Sequence, residues 1–220
     1  MSLIRAQNQL RTSGQGIIEV AVPAQQVPEL AAQERELNSL SNVTIIVVLA
    51  IVTMTFSALI AVFFVRSEGD MWWGQLRLPP ILYATTAVLI ASSVFLEKAR
   101  RSLAINDQQR FFKLDAIATG LGVLFLLGQI AAWFEVMRSG VVLTKNAHSW
   151  FIFLFSGLHG LHIVVGLSGL IYLLFRTYQP ASGPKYRMKT RVVANGVSIF
   201  WHFLDFLWLL LFGLLLFWRR

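Results

Sequence analysis

Five blocks of apolar residues, separated by polar segments, dominate the chain. The first block, residues 43–65, contains no charged residue. A helix needs about 20 apolar residues to cross roughly 30 Å of hydrocarbon, and the blocks lack the alternation of apolar and polar residues that is typical of a membrane β-barrel. The pattern therefore predicts an all-α integral membrane protein, a bundle of five transmembrane helices at about 43–65, 79–96, 114–134, 150–175 and 196–218.

Basic residues are distributed unevenly between the two sides of these five spans. Of the 19 lysines and arginines, 13 lie before the first span or in the loops that follow the second and fourth spans. Cytoplasmic loops carry an excess of Lys and Arg, so the N-terminus is predicted to be cytoplasmic and the C-terminus periplasmic. The net charge of +8 collects in loops and forms no stripe of the kind that binds nucleic acid, and we predict no nucleic-acid partner.

Residues 1–42 differ in composition from the rest of the chain. They are polar, with acidic residues and arginines mixed and with Pro23 and Pro28 interrupting. This composition predicts a largely disordered cytoplasmic tail, in which residues 29–40 have the pattern of a short amphipathic helix. The membrane domain is then residues 43–220, and Ser41 or Asn42 is the expected N-cap of its first helix.

Most charged residues of the apolar blocks lie near helix ends, where Glu97, Asp115 and Glu135 are expected to reach a membrane interface. Asp205 is the exception, because it lies deep in the fifth apolar block. Insertion scales assign a central aspartate a cost of roughly 2.5–3.5 kcal/mol. Such a residue should face protein and have a partner. His202 is three residues earlier on the same helix face, and Trp201 and Trp208 flank the pair.

Two histidines, His159 and His162, lie three residues apart in the fourth block and share a helix face. Four interpretations are open for them together with His202 and Asp205: a metal site, haem ligation, a proton path, or a buried hydrogen-bond network that sets helix register. The network is favoured, because small residues let helices pack closely and leave little room for an ion; the glycines in question are Gly157, Gly160, Gly166 and Gly169. The chain has no cysteine, which excludes disulfides, thiolate metal sites and redox thiols.

Two motifs in this region resemble a known family. Residues 155–176 read FSGLHGLHIVVGLSGLIYLLFR, and residues 200–212 read FWHFLDFLWLLLF. Both are similar to subunit III of the haem–copper terminal oxidases, in which a Gly-x-His-Gly-x-His helix is followed by a last helix with Trp-His-Phe-x-Asp-x-x-Trp. The resemblance is strongest over residues 145–218 and follows the family outline over residues 76–135.

The resemblance implies a non-catalytic subunit of a bacterial cytochrome c oxidase in the inner membrane, which serves aerobic respiration and proton translocation. Such a chain has no catalytic, cofactor or metal site, because haem and copper lie in partner subunits. It packs on subunit I, with subunit II and other respiratory subunits nearby, holds phospholipid and supports proton uptake and stable turnover. Arg176 matches a family arginine that contacts a lipid phosphate. The structural polar network is then His159, His162, His202, Asp205, Trp201 and Trp208.

The chain also departs from the longer family members. Many have seven helices, and the five predicted here correspond to the last five. One wall of the lipid cleft of the longer form is therefore missing from this chain. Two alternatives stay open: subunit III of a quinol oxidase, in which five-helix forms are common, and a stand-alone membrane metalloprotein that uses the histidines.

Overall fold

Five long α-helices make up the part of the chain that the computed structural model describes, which is residues 27–67, 79–105, 107–138, 147–178 and 183–218. No strand occurs within these ranges. Each helix is long and apolar enough to cross a membrane, which confirms the predicted all-α architecture with five spans. The helices are α1 (Val27–Ser67), α2 (Ile81–Ala104), α3 (Gln108–Arg138), α4 (Ala147–Tyr178) and α5 (Pro184–Trp218).

The helices extend beyond the apolar blocks, mainly at one end of the bundle. α1 begins at Val27 instead of 43, α2 continues to Ala104 instead of 96, and α5 begins at Pro184 instead of 196. We call this end, where α1, α3 and α5 begin and α2 and α4 end, the basic end. Hydropathy marks the part of a helix that suits hydrocarbon, whereas backbone hydrogen bonds continue into polar sequence. Residues 29–40 are therefore a continuous part of α1, and residues 1–26 of the predicted tail lie outside the described ranges.

The last helix, α5, is the centre of the bundle. It contacts α1, α2 and α4, while α2 packs along α3 and α3 packs along α4. α1 is peripheral, since it meets α4 at few positions and most of its apolar side chains are exposed. The main core cluster joins α2, α3, α4 and α5 through buried side chains that include Leu89, Leu96, Phe125, Ile163, Leu170, Trp201, Leu204 and Trp208.

The indole of Trp201, which is fully buried, is held between two glycines. A Cβ atom built on Gly122 of α3 would lie 2.7 Å from Cη2 of this indole, and one built on Gly166 of α4 would lie 2.9 Å from its Cε3. Real Cβ atoms do not approach other atoms so closely, so a side chain at either position would force the indole or its neighbours to shift. A Cβ on Gly120 or Gly160 would meet nothing within 4 Å. The close packing predicted for the glycine-rich helix is therefore confined to particular glycines.

Candidate functional site

His202 and Asp205 occupy adjacent turns of α5, with Nδ1 of the histidine 3.9 Å from Oδ2 of the aspartate. The imidazole Nδ1 is hydrogen-bonded to Oγ of Ser93 on α2. Asp205 is 7% exposed, and neither of its carboxylate oxygens has a hydrogen-bond partner within the described ranges. The structure thus brings the two predicted residues together at ion-pair distance but without a hydrogen bond between them.

Glu97 of α2 lies on the other side of the same imidazole. Its Oε2 is 4.0 Å from Nε2 of His202. The carboxylate also accepts hydrogen bonds from Arg100 Nε and Arg101 Nε, both at 2.8 Å, and Arg100 Nη1 donates to Oδ1 of Asn195 on α5 at 3.1 Å. Sequence analysis placed Glu97 at a helix end but missed its approach to α5, because that contact depends on how α2 and α5 pack.

His159 lies in an aromatic environment. Its ring stacks on Trp208 of α5 with centroids 5.2 Å apart, and Phe125 of α3 meets it edge-on at 6.3 Å. The residue is 1% exposed, and neither ring nitrogen has a hydrogen-bond partner among the described residues. Trp208 Nε1 donates to Oγ1 of Thr86 on α2 at 3.0 Å. His159 therefore joins the aromatic core without entering the described hydrogen bonds.

The second histidine of the pair, His162, turns toward a different helix. Its Nδ1 lies 2.6 Å from the carbonyl oxygen of Leu158, and its ring contacts Phe56 of α1 with centroids 5.7 Å apart. Residues three apart differ by about 60° around an α-helix, which is enough for His159 to meet α5 while His162 meets α1. The spacing predicted a shared face, but the two rings have different neighbours.

Asp115 of α3 is a buried polar residue that sequence analysis assigned to an interface. That expectation is wrong, because Asp115 is 0% exposed. Neither carboxylate oxygen has a hydrogen-bond partner among the described residues. A signal was present in the sequence, since Asp115 continues the buried stripe of Phe111, Ala118, Gly122 and Phe125 at helical spacing.

Arg176, near the end of α4, is held in position by groups from α4 and α5. Its Nε donates to Oγ1 of Thr190 at 2.9 Å, and its Nη1 donates to the hydroxyl of Tyr172 at 2.8 Å. The guanidinium lies 4.9 Å from the ring centre of Tyr186, whose hydroxyl donates to the Arg176 carbonyl oxygen. A guanidinium has five N–H donors, so this partly exposed group can still offer donors to an anion.

Hydrogen bonds between helices fix the register of the bundle elsewhere. They comprise Ser92 Oγ to the Ala118 carbonyl oxygen at 2.8 Å, Gln129 Nε2 to Thr85 Oγ1 at 3.3 Å, and Trp133 Nε1 to Ser156 Oγ at 3.0 Å. Such contacts orient helices that lack a hydrophobic driving force between them. Within the described ranges, no group of three or more His, Cys, Asp or Glu side chains lies close enough together to hold a metal ion.

The chain is similar in sequence to known proteins over most of its length. The family model described as cytochrome c oxidase subunit III matches residues 41–220. A probable cytochrome c oxidase subunit 3 of Mycobacterium leprae is 31% identical over 171 residues, which cover 76% of this chain and 82% of that protein. Cytochrome c oxidase subunit 3 of Corynebacterium diphtheriae is 28% identical over 198 residues, 84% of this chain and 93% of that protein.

The corresponding subunit of Synechocystis is 29% identical over 138 residues, and this match spans 63% of the chain but only 55% of that longer relative. The match to the family model begins at residue 41 within α1, covers the other four helices in full and includes both histidine motifs. The chain is therefore a multi-pass membrane protein that belongs to the cytochrome c oxidase subunit III family.

Proposed function

We propose that this protein is subunit III of a bacterial cytochrome c oxidase, a haem–copper oxidase of aerobic respiration, in the inner membrane. The observation that carries the proposal is the family match over residues 41–220. In the oxidase, haem and copper lie in partner subunits, and this chain packs on subunit I beside subunit II. Its N-terminus is in the cytoplasm, in keeping with the 13 basic residues that the sequence assigns to that side.

The arrangement of the polar side chains supports a non-catalytic role for the chain. His159 stacks on Trp208, His162 contacts Phe56, and His202 bonds to Ser93. The three histidines thus contact three different sets of neighbours instead of converging on one point. Together with Asp205, Trp201 and Trp208 they form the polar and aromatic framework of the bundle, which holds the helices against each other and presents a stable surface to subunit I.

Purification of the complex through a tag on this chain tests the proposal. We expect the chain to co-purify with a haem-containing oxidase that oxidises reduced cytochrome c. Oxidation of quinol instead of cytochrome c would assign the chain to a quinol oxidase. A chain that purifies without haem-bearing partners and retains stoichiometric metal by itself would overturn the proposal in favour of a metalloprotein.

Phospholipid binding at Arg176 is the second part of the proposal. The guanidinium is fixed by Thr190 and Tyr172 at the basic end of the bundle, where lipid phosphates of the cytoplasmic leaflet are located. Arginine suits a phosphate because its planar fork donates two parallel hydrogen bonds. We propose that a lipid bound here supports proton uptake by the oxidase and keeps it active during sustained turnover.

Arg176→Ala is expected to weaken binding of this lipid by about 10- to 100-fold, since a hydrogen bond to a charged group contributes about 1.5–3 kcal/mol. Native mass spectrometry of the purified complex measures the number of bound phospholipids, and the decay of activity during turnover measures the consequence. Arg110, an exposed arginine on α3, provides the control through Arg110→Ala. Equal lipid content in the Arg176 and Arg110 variants would contradict the assignment.

A further inference from the structure

A stripe of exposed side chains runs along the outer surface where α2 and α5 meet. Its apolar members are Ile90 and Val94 on α2 and Ile199 and Phe206 on α5, all exposed in the isolated chain. Among them is the imidazole of His202, whose side chain is 40% exposed. We call these five residues the α2–α5 face. The stripe lies within the parts of both helices that are apolar enough to span the membrane.

The imidazole of His202 has an unused hydrogen-bonding atom on this face. Nδ1 is bonded to Ser93, but Nε2 is 4.0 Å from the nearest Glu97 oxygen, which is beyond hydrogen-bond distance. No other hydrogen bond to Nε2 occurs within the described ranges. Hydrocarbon chains cannot satisfy a polar atom, and polar side chains in membrane helices face protein or water. An exposed histidine in an apolar stripe therefore indicates a surface that another helix covers.

The charged residues at one edge of the α2–α5 face indicate which side chains the covering helix presents. One turn beyond His202, toward the basic end, two arginines share the single carboxylate of Glu97. The side chain of Arg101 remains 77% exposed, and the group of three carries an excess of one positive charge. A partner that is complementary to this edge has an acidic residue at the level of Arg101 and an otherwise apolar surface.

We propose that the α2–α5 face docks a transmembrane helix of a neighbouring oxidase subunit. This helix presents a hydrogen-bonding side chain to Nε2 of His202 and an acidic residue to Arg101. Its apolar side chains pack over Val94 and Ile199. The inference rests on the proposed function for the existence of neighbouring subunits, while the face that they cover follows from exposure, hydrogen bonding and charge in this chain.

Photo-cross-linking in the intact, tagged complex tests the proposal. p-Benzoylphenylalanine is placed singly at Val94 or Ile199, with Leu127 on α3 and Leu161 on α4, both exposed, as control positions. We expect Val94 and Ile199 to cross-link to one transmembrane segment of an identified oxidase subunit, with peptides mapped by mass spectrometry. We also expect His202→Phe to lower the Ile199 cross-link several-fold and to leave adducts at Leu127 unchanged.

Other outcomes would overturn the inference. Lipid adducts alone at Val94 and Ile199 would show that the face contacts the bilayer, and cross-links to a second copy of this chain would show a self-association surface. In either case a haem-containing complex that still co-purifies with the tag leaves the proposed function intact. Loss of haem-bearing partners from the purified material would instead contradict the proposed function itself.

Discussion

Trp201→Ala is expected to lower the free energy of unfolding by about 3–5 kcal/mol, the range for removing a large aromatic side chain from a packed core. The indole fills the space between α3, α4 and α5, and Gly122 and Gly166 on its two sides have no side chains that could close the cavity. Thermal unfolding of the purified protein in detergent, followed by far-ultraviolet circular dichroism, measures the change without depending on tryptophan fluorescence.

The glycines provide a test that is specific to this contact. Gly122→Ala should cost about 1–3 kcal/mol, because its Cβ lies 2.7 Å from Cη2 of Trp201 and the indole has no free space on its other side. In a Trp201→Phe background the cost should shrink, since phenylalanine lacks the outer atoms of the indole. Gly120→Ala, two residues away and with nothing within 4 Å, is the matched control. Equal costs at the two glycines would rule out the proposed clash.

Asp115→Leu is expected to raise the free energy of unfolding by about 1–3 kcal/mol, the desolvation penalty of a buried polar group left without a partner. Asp115 is fully buried and its carboxylate oxygens make no hydrogen bond among the described residues. Leucine is close in size and adds apolar contact with neighbours such as Phe111 and Ala118. Asp115→Asn should give a smaller gain, because the amide is still polar and equally enclosed.

Replacement of a second aspartate, near the start of the same helix, is expected to lower the stability instead of raising it. Asp107 precedes α3 and its Oδ1 accepts a hydrogen bond from the backbone N–H of Arg110 at 2.9 Å. Asp107→Ala should therefore cost about 1 kcal/mol through loss of the N-cap. The same thermal unfolding measurement serves both variants. Destabilisation by Asp115→Leu as large as that of Asp107→Ala would contradict the view that Asp115 is buried at a net cost.

Much of the fold was predictable because its signal is local. Apolar blocks long enough to span hydrocarbon identified all five helices, and the blocks need no knowledge of neighbouring helices. The helix ends were less accurate, as α1 begins at Val27 and α5 at Pro184. At these ends the helices pass into polar sequence, where hydropathy no longer distinguishes helix from loop and where caps and contacts between helices set the boundary.

The surroundings of the polar residues were less predictable from the sequence than the helices were. The spacing of His202 and Asp205 placed them on one face of one helix, and Nδ1 of the histidine lies 3.9 Å from Oδ2 of the aspartate without a hydrogen bond between them. The spacing of His159 and His162 suggested one shared environment, yet their rings meet α5 and α1 respectively. Asp115 was expected at an interface but is enclosed, because a residue near a helix end can still lie beneath neighbouring helices.

The sequence by itself determined that the chain is helical, that it has five segments long and apolar enough to cross a membrane, and that its two histidine motifs belong to the subunit III family. These properties depend on hydrophobic length and on residues close together in the chain. Only the tertiary structure decided that Gly122 and Gly166 enclose Trp201, that Ser93 and Glu97 reach His202, and that the side chain of this histidine is partly exposed. These contacts join residues far apart in sequence, and they depend on the rotation and depth at which each helix packs.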